Sequence, residues 1–116
     1  LLAVNLLYRS IKFEIMKIEL KPNEQVVKAG DSQYMNGSKV DGKLILTNQR
    51  IYFKSKSESH SNNNMEIIPV DIKEVIPFKT GFFSNNGMNI VKKDGKELNF
   101  KIKDRDTWCK LVNQMY

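Results

Sequence analysis

Residues 42–53, GKLILTNQRIYF, constrain the fold more than any other part of the chain. Leu44 and Leu46 alternate with Lys43, Ile45 and Thr47, and Ile51 and Phe53 alternate with Arg50, Tyr52 and Lys54. Successive side chains of a strand point to opposite faces, so each run predicts a strand with one buried face. Asn48-Gln49 between them is a polar turn signal, which makes the pair a hairpin over residues 43–47 and 50–54.

Most of the chain after Glu24 has the same character. Residues 25–29 predict a first strand ended by Gly30-Asp31, and residues 34–40 a second, interrupted by a turn or bulge at Asn36-Gly37. The run SKSESHSNNN, residues 55–64, has nothing to bury and predicts a loop. Short strands follow over residues 65–70 and 74–79, marked by Pro69 and Pro77, which belong at strand ends or edges. A loop over residues 81–87 contains Phe82-Phe83 and Asn85-Asn86-Gly87. Residues 88–93 and 96–103 flank Asp94-Gly95, a pair that favours a type I′ hairpin turn. In the second of these strands Leu98, Phe100 and Ile102 share one face, and Glu97, Asn99, Lys101 and Lys103 the other. The period then changes: Trp108, Leu111, Val112 and Met115 form one stripe of a helix, with Asp104 or Asp106 placed to cap its start. The fold class is therefore mainly β with one C-terminal helix, about seven antiparallel strands in all.

The string GKLILTNQRIYF also resembles the signature of the GRAM domain and of related bacterial pleckstrin-homology-like domains. The resemblance extends over about residues 39–115, through Ile68-Pro69-Val70-Asp71-Ile72, the KKDGKELNFKI hairpin and the final helix. It implies a pleckstrin-homology-like barrel whose strands are capped by the helix, and a binding module that is not an enzyme. Gly42, Leu44, Leu46, Thr47, Asn48, Arg50 and Phe53 match the motif and are expected to be structural. An OB-type barrel is the alternative fold, but such barrels do not characteristically finish with a lone capping helix.

A chain of 116 residues fits one domain. Residues 1–15, LLAVNLLYRSIKFEI, differ from the rest, and the chain starts on Leu. They are read as an extension that is upstream-encoded or vector-derived, with Met16 as the native start and the domain over residues 16–116. The alternative is an amphipathic helix presenting Val4, Leu7, Tyr8, Ile11 and Ile15 beside Arg9 and Lys12. One cysteine, Cys109, and one histidine, His60, do not make a zinc site of the usual kind, and the lone cysteine suits a reducing, cytoplasmic compartment. No nucleophile, base or carboxylate pair is arranged for catalysis, and no phosphate-binding glycine loop is present, so no cofactor is expected.

The formal charge of +6 favours acidic partners or, more simply, solubility. Two features are candidate contacts for an anionic membrane surface or a protein partner. Phe82 and Phe83 either stand exposed at the barrel rim, with Lys79 nearby, or fold over the barrel end and are buried. Lys54 and Lys56, with Lys92, Lys93 and Lys96, form a basic rim if their hairpin tips face the same side, and otherwise protect strand edges. A third basic group, Lys39, Lys43 and Arg50, lacks the Lys-x-Arg element of phosphoinositide-binding pleckstrin-homology domains. Three functions follow: a non-catalytic module at membrane surfaces or on proteins, a self-assembling domain, and single-stranded nucleic-acid binding with Tyr34 and Tyr52 as stacking residues.

Overall fold

The computed structural model describes residues 19–116; the readings made for residues 1–15 lie outside them. Seven strands form one antiparallel sheet: β1 (Val26–Met35), β2 (Lys39–Thr47), β3 (Ile51–Ser55), β4 (Met65–Ile67), β5 (Ile72–Phe78), β6 (Gly87–Lys92) and β7 (Glu97–Ile102). Among the described residues one α-helix, α1 (Arg105–Asn113), follows. The strand order is β4-β3-β2-β1-β7-β6-β5. β1 is the hinge of this arrangement, pairing with β2 along nearly its whole length and with β7 over residues 32–35. The sheet curls into a half-barrel, and α1 covers its inner face against β5 and β6.

The inner face is the alternating set expected from the sequence. Leu44, Leu46, Ile51, Phe53, Ile90, Leu98, Phe100 and Ile102 are buried together. Tyr34, Phe53 and Phe100 form a three-ring cluster with centroids 5.4–5.9 Å apart. From the helix, Trp108 and Val112 are fully buried, and Leu111 and Met115 pack against the same cluster.

Several local expectations are corrected. β1 does not end at Gly30-Asp31 but runs on to Met35, because ladder pairing with β2 outweighs a local turn signal. Gly30 stays extended and lies under Trp108, where a Cβ would be 3.7 Å from the indole. The strand over residues 43–47 is not one-sided, since Ile45 is buried beneath Leu20, Val26 and Tyr52 on the outer face. Part of the polar run forms a 3-10 helix, Glu58–Asn63, and β4 stops at Ile67, before the Pro69–Asp71 turn. At Asp94-Gly95 only Gly95 has positive φ, so the turn is not type I′. The Lys92 N–H bonds to the Lys96 carbonyl, closing a three-residue loop with glycine at the left-handed position. Asp104 precedes α1 with φ of 62° and does not cap it with its side chain. Its carboxylate instead accepts from the Thr107 hydroxyl and from Lys28, which hold its pKa below the ordinary range.

The polar motif residues fasten the chain leading into β1. The Asn48 side chain accepts the Gln25 N–H and donates to the Asn23 carbonyl. The Thr47 oxygen accepts the Gln49 and Arg50 N–H groups, and its hydroxyl donates to Glu24. Arg50 reaches both Glu24 oxygens, at 2.8 and 3.1 Å, and the Glu19 carbonyl at 2.7 Å. Gly42 makes room for the core: a Cβ there would stand 2.5 Å from the Lys54 carbonyl and the Phe53 ring. Gly42→Ala is therefore expected to destabilise the domain by about 1–3 kcal/mol through overpacking, read as a lower urea midpoint.

Candidate functional site

The loop joining β5 to β6 resolves the two readings of Phe82-Phe83. The Ser84 N–H bonds to the Gly81 carbonyl at 3.3 Å, so the two phenylalanines are the central residues of a tight turn. A turn, unlike a strand, lets adjacent side chains project to the same side. Phe82 is 87% exposed and Phe83 90%. Their rings pack edge to face on each other, 4.8 Å apart, and not on the core.

Below the tip the loop is tied down. The Thr80 N–H bonds to the Ser84 carbonyl, and the Thr80 hydroxyl donates to the Asn86 side chain. The Asn86 carbonyl accepts the Ile102 N–H of β7 at 2.8 Å. Arg105, buried at the start of α1, donates to the carbonyls of Phe78 and Gly87 at 3.0 and 2.9 Å. One guanidinium thus holds both roots of the loop.

Beside the loop lies a concavity of about 430 Å³, walled by Asp31 and Gln33 of β1, by Asn85 and Asn86, and by Lys56, Lys101 and Lys103. The register explains this grouping. Asp41, Gln33, Lys101 and Gly87 lie in one row across β2, β1, β7 and β6, and the Lys56 N–H extends the row onto the Asp41 carbonyl. Lys56 approaches Asp31 at 3.7 Å, an exposed pair of little energetic weight.

The basic candidates fall on separate surfaces. Lys79 stands at the root of the aromatic loop and Lys56 in its concavity. Lys54 faces outward on β3 opposite Lys43 of β2. Lys92 and Lys96 border a different hollow, with Tyr34, Asn36 and Asn62. Lys93 borders a third, with Lys73 and the end of α1. The turn bearing Lys93 and the aromatic loop lie at opposite ends of the six-residue strand β6, roughly 20 Å apart at ~3.3 Å per residue. Lys101 and Lys103 were readable only as the wet face of β7, and Arg105 carried no local signal for its role.

The remaining candidates are structural. Tyr34 is buried, which pushes its pKa up, and Tyr52 is half-buried with the Arg50 guanidinium 5.7 Å above its ring. Neither presents an open face for a base to stack on. Cys109 is buried, and burial raises its thiol pKa. Among the described residues no group of three or more His, Cys, Asp or Glu is placed to hold a metal ion, and no helix is long and apolar enough to cross a membrane.

Solved structures share this fold. The C-terminal domain of an unknown protein from Leishmania infantum is 15% identical, with a TM-score of 0.71 over 97% of this chain and 96% of that one. The Vps36 N-terminal PH domain is 16% identical, with a TM-score of 0.62 over 84% and 85%. The Slm1-PH domain in complex with inositol-4-phosphate is 13% identical, with a TM-score of 0.60 over 78% and 97%. No curated protein matches the chain in sequence. The model of the GRAM domain matches residues 10–116, and the chain belongs to the GRAM domain family.

Proposed function

We propose that this GRAM domain is a peripheral membrane-binding module that inserts Phe82 and Phe83 between lipid headgroups. GRAM and PH-like domains are typically non-catalytic binding modules, and the Slm1-PH domain was captured with inositol-4-phosphate. The observation that carries the reading is the pair of nearly fully exposed phenylalanines on a turn whose base is pinned. Exposing two large rings to water is unfavourable, and an apolar interface compensates for it. Lys79 at the root supplies a cation for anionic headgroups, and the adjoining concavity sets Lys56, Lys101 and Lys103 beside Asp31, Asp41 and Asp104.

Co-sedimentation of the full chain with neutral and anionic vesicles tests this. Binding to anionic vesicles that weakens with salt is expected. Half insertion of each ring is worth about 1 kcal/mol, so replacing both phenylalanines by serine should weaken binding about thirtyfold. The unfolding midpoint should not move, because neither ring touches the core. Vesicle binding that survives this double replacement overturns the reading. If the rings instead join copies of the chain, light scattering will show concentration-dependent dimers and vesicles will capture nothing.

A further inference from the structure

At the other end of β5 and β6, an open hollow of about 540 Å³ separates the β4–β5 connection from the end of α1. Its apolar surface comes from Pro69, Val70 and Met115 over the buried Ile72, and Tyr116 also lines it. Val70 is 67% exposed, although it sits on a well-held turn. The Asp71 N–H bonds to the Ile68 carbonyl, and the Asp71 carbonyl accepts the Lys93 N–H at 2.8 Å. The apolar step is thereby fixed against the β6–β7 turn before anything binds. Lys73 and Lys93 supply the charged side chains of the lining, which contains no Asp or Glu. Among the described residues neither lysine makes an ion pair.

We infer that this groove docks a segment of a partner protein in which an apolar side chain is flanked by carboxylates. The apolar residue sits on Val70 and the flexible Met115 side chain, which adapts to irregular shapes. The carboxylates meet Lys73 and Lys93, so charge sets orientation and selects against basic partners. Strand addition to β5 is disfavoured, because Pro77 lacks an N–H and the register shifts between Ile72 and Glu74. Recognition therefore runs through side chains. The groove lies some 20 Å along β6 from Phe82 and Phe83, on the ~3.3 Å rise of a strand, so both surfaces can be occupied at once. The inference does not depend on membrane binding.

The test uses the full chain, isotopically labelled, and a short synthetic peptide with Leu-Phe at its centre and Asp and Glu on both sides. A matched peptide carries Lys in place of the acids. Amide shifts confined to Val70, Lys73, Lys93, Met115 and Tyr116 are expected with the acidic peptide only, and they should diminish with added salt. Val70→Ser, at an exposed position, should weaken binding about tenfold. Lys73→Glu with Lys93→Glu should transfer the preference to the basic peptide. Replacing Phe82 and Phe83 by serine should change nothing, which separates this groove from the membrane reading. No shifts with the acidic peptide, shifts elsewhere, or equal binding of both peptides would overturn the inference.

Discussion

Trp108→Ala is expected to lower the stability of the domain by about 3–5 kcal/mol, the range for removing a large buried aromatic side chain. The indole is fully buried, packs over Gly30 of β1 and has the Lys28 ammonium 5.8 Å from its ring centroid. The helix is only nine residues long, too short to persist without tertiary packing. Loss of its central anchor should loosen the whole closure of the half-barrel. Domains of this size have about 5–15 kcal/mol in total. The urea midpoint should therefore fall by about 2 M at a slope near 2 kcal/mol per M. Leu111→Ala, at a half-buried position on the same helix, should cost clearly less. An unchanged midpoint for Trp108→Ala would mean that α1 does not seal the core.

The closure was legible because it rests on periodicity. Leu44, Leu46, Ile51 and Phe53 alternate, Trp108 and Val112 recur at helical spacing, and both patterns are local consequences of backbone geometry. What the sequence left open depends on residues far apart in the chain. Ile45 occupies the outward phase of β2, and its burial is decided by Leu20 and Val26, which fold back over it. Arg105 looks like an ordinary first-turn residue until β5 and β6 bring two carbonyls to it. The aromatic pair had two consistent readings, and the choice between them lay in the Gly81–Ser84 hydrogen bond. The concavity beside it needs the register of four strands, which no local pattern encodes. The motif's polar positions matched the family, but the partner of Arg50 is a glutamate 26 residues earlier.

That pair gives the second large effect. The Glu24 side chain is fully buried. Burial alone would raise its pKa, but hydrogen bonds from Arg50, Thr47 and the Lys21 amide, with the charge of Arg50, outweigh it and bring the pKa from 4.5 down to about 2. A carboxylate held below its unfolded value contributes stability that is fully present above pH 4.5. As pH falls from 4.5 toward 2 the unfolded chain takes up the proton first, and the contribution is lost. The window should be worth about 3 kcal/mol. Glu24→Gln should flatten the stability profile between those pH values. Arg50→Ala leaves the carboxylate buried without its partner and should cost about 3–5 kcal/mol at neutral pH. Replacing the two together by Leu and Met should cost far less than the sum of the single changes, because neither charge is then stranded. Urea unfolding of the three variants across pH reads all of this. Additive losses would show that Arg50 acts mainly through the Glu19 carbonyl and its approach to Glu66 at 3.5 Å, and not through Glu24.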